Sequence, residues 1–161
     1  MVCAFTGHRP QRLPWGSDEE DPRCKALKQM LFRAVSQAVE RGAETFLCGM
    51  ARGCDTYFAE AVLECMDDHP GLDLIAMVPC PQQADRWPAA DRMRYASLLA
   101  RCSKVEILER AYRHGCMARR NRTMVERADL LISVYDGGSG GTAQTVKLAK
   151  AMGVEIIPVW L

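Results

Sequence analysis

No stretch of the chain approaches the ~20 consecutive apolar residues that a membrane helix needs. The start, Met1-Val2-Cys3-Ala4-Phe5-Thr6, lacks a basic leader and soon meets Gly7 and Pro10, so a secretory signal is not expected. There is no C-x-x-C pair among the eight cysteines, and none stands near a histidine at zinc-ligand spacing. A metal site is therefore not expected. Most of the cysteines fall in apolar runs, where a thiol acts as a small buried hydrophobe. A reduced, cytoplasmic protein fits this usage better than a disulfide framework. Charge of one sign is also missing: the formal net charge is +1. That argues against a broad basic face for duplex DNA but leaves room for a local basic pocket. Repeats, low-complexity tracts and interdomain linkers are absent too, and 161 residues suit a single domain, residues 1–161.

What is present is an alternation. Short apolar runs at Val2–Thr6, Thr45–Cys48, Leu72–Val78, Val105–Leu108, Leu130–Tyr135 and Val154–Trp160 read as six strands. The segments between them read as helices. Asp21 caps the first, with Pro22 in its opening turn and Gly42 after its end. Its apolar stripe is Leu27, Leu31, Ala34, Val35, Ala38 and Val39. Asp55 is placed to cap the second, Asp91–Arg101 and Met117–Arg127 read as the third and fourth, and Thr142–Met152 as the fifth. Strands alternating with helices imply an α/β, three-layer, doubly wound Rossmann-like domain with a mainly parallel sheet of about six strands. The loop Arg9–Glu20 is the least regular stretch and is a candidate flap.

The glycines fall at one place in this scheme. Gly7 follows the first strand, Gly49 and Gly53 the second, and Gly137, Gly138, Gly140 and Gly141 the fifth. In open α/β sheets that carboxyl edge is where ligands bind. The strongest local signal is Asp136-Gly137-Gly138-Ser139-Gly140-Gly141-Thr142. Its glycines free the backbone amides to face an anion, and the helix that follows adds its positive end. Ser139 and Thr142 supply hydroxyl donors, so phosphate or pyrophosphate is the natural guest. The loop is neither a Walker A motif nor the usual G-x-G-x-x-G, so ATP hydrolysis of the P-loop type is not supported.

Several residues carry two readings. Arg9 and Arg120 are candidate phosphate clamps, with Arg119 and Arg122 competing for the second role. Asp55 caps a helix or accepts a ribose hydroxyl; Asp136 fixes the glycine loop through local hydrogen bonds. His8 is a candidate donor to ligand or general acid. Cys54 stands near a helix start expected to lower its pKa, though a structural thiol is the simpler reading. Trp15 and Trp87 stack on a base or anchor packing; Trp160 is core or interface. The acidic run Asp18–Asp21 reads as a solvated face plus the cap. Ile156–Leu161, if an edge strand, is a candidate surface for a homo-oligomer.

Five motifs in order bear a resemblance. They are Thr6-Gly7-His8-Arg9-Pro10, Gly49-Met50-Ala51-Arg52-Gly53-Cys54-Asp55, Pro79-Cys80-Pro81 with Gln83 and Trp87, Arg120-Asn121, and Asp136–Thr142. The set resembles the YpsA-like branch of the SLOG superfamily, which also holds the DprA recombination mediators and the LOG-type cytokinin-activating enzymes. The resemblance implies a Rossmann-like fold and binding or sensing of a nucleotide or nucleotide-derived ligand, of the ADP-ribose, NAD or AMP kind. It implies a pocket of Gly7, His8, Arg9, Gly49, Arg52, Gly53, Asp55, Gln83, Trp87, Arg120, Asn121 and Gly137 to Thr142 (Gly137, Gly138, Ser139, Gly140, Gly141, Thr142). One position departs. Where LOG-type enzymes carry a glutamate implicated in cleaving an N-glycosidic bond, this chain has Thr145, beside Gln144. A neutral side chain cannot serve as that carboxylate. The expectation is therefore binding rather than turnover, with nucleotide hydrolysis and DprA-like single-stranded DNA binding as the alternatives. No resident cofactor is expected beyond such a ligand.

Overall fold

The computed structural model describes residues 1–161. Six strands are present: β1 (Val2–Gly7), β2 (Thr45–Cys48), β3 (Asp73–Val78), β4 (Lys104–Ile107), β5 (Leu130–Tyr135) and β6 (Glu155–Trp160). Five helices connect them: α1 (Pro22–Glu40), α2 (Cys54–Asp68), α3 (Ala89–Arg101), α4 (Cys116–Arg127) and α5 (Gly141–Ala151). All strand pairs are parallel, in the order β4-β3-β2-β1-β5-β6. The chain winds outward from β1 to β4, then returns to the other side of β1 for β5 and β6. The sheet therefore has its switch point between β1 and β5, where Gly7 is in register with Val134. No helix is long and apolar enough to cross a membrane.

Alternation along β1 divides the interior. Cys3 and Phe5 face a cluster of 32 buried residues under α1, α2 and α3. Ala4 faces a cluster of only 7 under α4 and α5. In the larger layer Phe5 stacks on Phe58 of α2 with ring centroids 4.4 Å apart. The thinner layer leaves the space beside α4 and α5 that becomes the site.

The first helix starts as its cap signal requires, the Asp21 carboxylate accepting the Arg23 N–H at 2.8 Å. The second differs from expectation. Its N-cap is Gly53, and Asp55 lies inside the first turn. Gly53 takes a positive φ of 83°, and a Cβ there would come within 2.9 Å of the His8 carbonyl. Only glycine lets the helix begin this close to β1, so the start moves ahead of Asp55.

The segment Arg9–Glu20 is more ordered than its composition indicates. It carries a 3-10 turn, Pro10–Arg12, and buries Leu13 and Trp15 in the larger core. Trp15 is thus a packing residue and not available to stack on a base. Glu19 is not a solvated acid either: it bonds Arg94 of α3 and Lys28 of α1. Arg94 also pairs with Glu60 of α2, so the far end of the flap is clamped to three helices. Trp160 is 61% exposed on the edge strand β6, which removes its core reading. All eight cysteines are free thiols and seven are buried. Burial pushes the Cys54 thiol up, overriding the lowering expected from its helix start.

Candidate functional site

A cavity of about 560 Å³ opens at the carboxyl ends of β1 and β5. That volume lies within the ~300–1,000 Å³ of small-molecule sites. The motif after β1 supplies Thr6, Gly7, His8 and Arg9 to its wall; the β2–α2 connection supplies Gly49, Ala51 and Asp55. From α4 come Met117, Arg119, Arg120, Asn121 and Arg122; from α5 come Gly141, Thr142, Gln144, Thr145 and Leu148. Gly141 opens α5 and Thr142 follows it; both line the space, so the amide end of the helix stands at the cavity. Five arginines line this cavity, and Asp55 is the one carboxylate among its lining residues.

Arg120 is at the floor and is only 3% exposed. Its guanidinium donates to the carbonyls of Gly49 and Met77, to Gln83 Oε1 at 3.3 Å and to Asn121 Oδ1 at 2.9 Å. Gly49 makes this possible, because a Cβ there would meet the guanidinium carbon at 2.6 Å. The arginine that sequence offers as a phosphate clamp is thus engaged in tying β2, β3 and α4 together beneath the cavity. Gln83 takes part from behind, donating to the Gly49 carbonyl at 3.2 Å.

Asp55 is buried beside this group. Its Oδ2 accepts the Ala51 N–H at 2.9 Å, holding the turn in which Met50 adopts a left-handed φ of 59°. Burial pushes the Asp55 carboxyl up, and the positive charge of Arg120 opposes that rise. Burial also lowers the Arg120 guanidinium.

His8 spans the switch point. Its Nε2 lies 3.2 Å from Asp136 Oδ1 and 3.3 Å from the Asp136 backbone nitrogen. One nitrogen cannot satisfy both at once: a carboxylate needs Nε2–H, an amide needs it bare. The carboxylate contact is shorter and carries charge, so we assign the proton to Nε2. Asp136 Oδ1 also accepts the Gly138 N–H at 2.8 Å, as expected of a residue fixing the loop. That bond first, and then the contact with His8, hold the Asp136 carboxyl below its usual value.

The other predicted residues divide into two groups. Gly137, Gly138, Ser139 and Gly140 form the rim beside the cavity rather than its lining. Arg52, Gly53 and Trp87 line a separate hollow of about 60 Å³ between the flap, α2 and α3. There Arg52 pairs with Asp91 at 3.0 Å and Trp87 packs edge-on against Tyr95 at 5.1 Å. The structure therefore brings Gly7, His8, Arg9, Gly49, Asp55, Arg120, Asn121, Gly141 and Thr142 together and leaves Arg52 and Trp87 apart. Arg119 and Arg122, the competitors of Arg120, do reach the cavity, though each also pairs with a glutamate, Glu109 and Glu126. Arg9 makes no ion pair; its side chain rests on the Met117 sulfur.

Arg12 is the residue that sequence reasoning missed. It lines the cavity from the flap and reaches the glycine loop, donating to the Ser139 carbonyl with Asp136 Oδ2 3.8 Å away. The signal was its spacing: Pro10 sets a 3-10 turn, which places residue 12 above residue 9. Thr145, where LOG-type enzymes carry glutamate, is in the cavity wall with its hydroxyl bonded to the Gly141 carbonyl at 2.9 Å.

Comparison with known proteins places the fold and the family. A UPF0398 protein of Bacillus pumilus (strain SAFR-032) is 28% identical over 143 residues, covering 88% of this chain and 76% of that protein. A UPF0398 protein of Bacillus cereus (strain G9842) is 28% identical over 155 residues, covering 94% and 84%. Among solved structures, DNA processing protein A from Helicobacter pylori, described for its single-stranded DNA binding mode, aligns with a TM-score of 0.64 at 18% identity. The match covers 98% of this chain and 64% of that one. DNA processing protein A from Streptococcus pneumoniae gives 0.64 at 17% identity, covering 98% of this chain and 49% of that one. The chain thus spans about half to just under two thirds of these DprA proteins, and the likeness shows a shared fold. Residues 3–155, nearly the whole chain, match the YspA SLOG family, and the chain belongs to it.

Proposed function

We propose that the protein binds a phosphate-bearing, nucleotide-derived ligand in the cavity at the β1–β5 switch point, as a binding or sensing module. The observation that carries this reading is the charge of the wall: five arginines against one carboxylate, next to the amide end of α5. Apolar surface from Phe5, Met117, Ala118 and Leu148 suits a base or sugar face. Thr145, neutral and already bonded to the Gly141 carbonyl, supports holding over cleaving.

Thermal shift and calorimetry with AMP, ADP, NAD, ADP-ribose and adenosine test this. Ligand at 100 times its Kd adds about 2.7 kcal/mol, which raises Tm by roughly 5–10 °C in a domain of this size. No shift and no heat across the panel would sink it. Chromatography of the same mixtures reports turnover, since released base or ribose phosphate would convert the module into an enzyme with Asp55 as the nearest carboxylate.

A second reading is single-stranded DNA, the ligand named for the Helicobacter protein of the same fold. It is favoured by aromatic surface at the same sheet edge: Trp160, largely exposed, stands 6.1 Å from the Tyr135 ring, and Tyr135 donates to the Gly138 carbonyl at 2.9 Å. Oligo-dT gel shifts at low and moderate salt discriminate. Binding that exceeds AMP affinity and falls in Trp160→Ala would favour the strand; absence of a shift at low salt removes it.

A further inference from the structure

We propose that Arg12 is a phosphate-recognition residue that latches the flap to the glycine loop and exchanges its protein contacts for phosphoryl oxygens when ligand binds. The inference rests on the nucleotide reading above and adds to it the residue that reads the phosphate.

Three observations converge on Arg12. Its guanidinium lies directly on the loop backbone: a Cβ on Gly138 would come within 2.8 Å of Nη2 and one on Gly140 within 2.9 Å of Nη1. Those two glycines make room for an arginine as much as for an anion. Its present partners are weak holders of a cation. One is a neutral carbonyl, Ser139 O; the other, Asp136 Oδ2, is 3.8 Å away, and that carboxylate's Oδ1 is already shared between Gly138 N–H and His8. Finally, the side chain is 42% exposed yet borders the cavity, so it has freedom to turn inward.

The flap gives this movement a mount. Leu13 and Trp15, just after Arg12, are fixed in the core, and Glu19 is held by Arg94 and Lys28. The backbone at residue 12 is therefore anchored close by, and the exchange falls to the side chain. A phosphoryl group at the α5 amide end offers two charged oxygens to a planar fork, a stronger match than a carbonyl plus a distant carboxylate. Arg12 would then bridge flap, ligand and glycine loop at once.

Hydrogen exchange and calorimetry on Arg12→Ala, Arg12→Lys and Gly138→Ala test the proposal, with AMP and adenosine as probes. Without ligand, the amides of residues 137–141 exchange faster in Arg12→Ala than in the unaltered protein, because the latch is gone. With ligand, Arg12→Ala weakens AMP binding about 10- to 100-fold while adenosine binding stays the same. Arg12→Lys recovers part of the loss, and Gly138→Ala, which keeps the charge but displaces it, reproduces the AMP defect. Equal AMP affinity in Arg12→Ala and the unaltered protein overturns the recognition role. Unchanged exchange at 137–141 overturns the latch, whatever the ligand. If the unaltered protein binds neither probe, the nucleotide reading falls and the exchange of contacts with it; faster loop exchange in that case marks Arg12 as a structural strut only.

Discussion

His8 and Asp136 are 128 residues apart in sequence, yet His8 Nε2 and Asp136 Oδ1 lie 3.2 Å from one another across the switch point of the sheet. The contact ties the loop leaving β1 to the loop leaving β5, which run to opposite faces. It fixes the two rims of the cavity at the place where no strand hydrogen bond can do so.

Asp136 performs this task through geometry as well as charge. Asp136→Ala loses the Gly138 N–H bond and the His8 contact together, and we expect a loss of about 1–2 kcal/mol in urea unfolding. Asp136→Asn keeps an oxygen for the Gly138 N–H, so it should retain most of that stability. Equal destabilisation by both variants would show that the charge, not the turn, is what matters.

Arg120 and Gly49 form a matched pair in the floor. Gly49→Ala places a methyl group 2.6 Å from the guanidinium carbon, whose nitrogens are held by acceptors on three elements. A cost of roughly 1–3 kcal/mol is expected. Gly71→Ala is the control: nothing lies within 4 Å and its φ is ordinary. Arg120→Met should cost more, about 3–5 kcal/mol, by removing a buried donor from Met77 O and Gln83 Oε1 and the charge beside buried Asp55, while the Gly49 carbonyl keeps Gln83 as its donor. Urea midpoints for the three variants check the order.

These pairs also mark where the sequence is legible and where it is not. Six apolar runs locate six strands, with ends within a residue; in β1, β2, β3 and β5 burial on both faces forces the continuous hydrophobicity, while the edge strands β4 and β6 are partly exposed. The position of the cavity at the carboxyl edge is legible in part from the glycines: Gly7, Gly49 and Gly141 line it, while Gly137, Gly138 and Gly140 stand on its rim. Arg120 leaves no such trace. An arginine reads as surface unless its acceptors are known, and those acceptors, Gly49, Met77 and Gln83, are up to 71 residues distant. Asp55 reads as a cap because its local sequence fits one; the tertiary approach of His8 to Gly53 moved the helix start past it. Arg12 reads as one more basic residue in a polar loop until the fold brings Ser139 beneath it.

The clamp on the flap is acid-sensitive. Glu19 is partly buried, which by itself raises its pKa, but the bonds and charges of Arg94 and Lys28 outweigh burial and hold it below the usual value. A depressed carboxylate stabilises the fold above its unfolded pKa of about 4.3 and loses that contribution as pH falls through the folded value. Glu19→Gln should therefore lower Tm at pH 7, with the difference from the unaltered protein closing as pH drops below about 4. A gap of constant size down to pH 3 would contradict the ionic clamp.

Substitution at Thr145 tests binding against chemistry at the same cavity. Thr145→Glu installs a carboxylate where LOG-type enzymes carry theirs, one turn into α5 and beside the amide end. If the site holds phosphate, the added negative charge works against it, and AMP affinity should fall about tenfold, or ~1.4 kcal/mol. Adenosine, lacking the phosphate, should be affected less. The unaltered side chain spends its hydroxyl on the Gly141 carbonyl and has no proton-accepting charge to offer. Release of adenine from AMP by Thr145→Glu, but not by the unaltered protein, would show that the rest of the wall already positions a glycosidic bond and that one missing carboxylate keeps the module from cleaving it. Tighter AMP binding in that variant would instead remove phosphate from this end of the cavity.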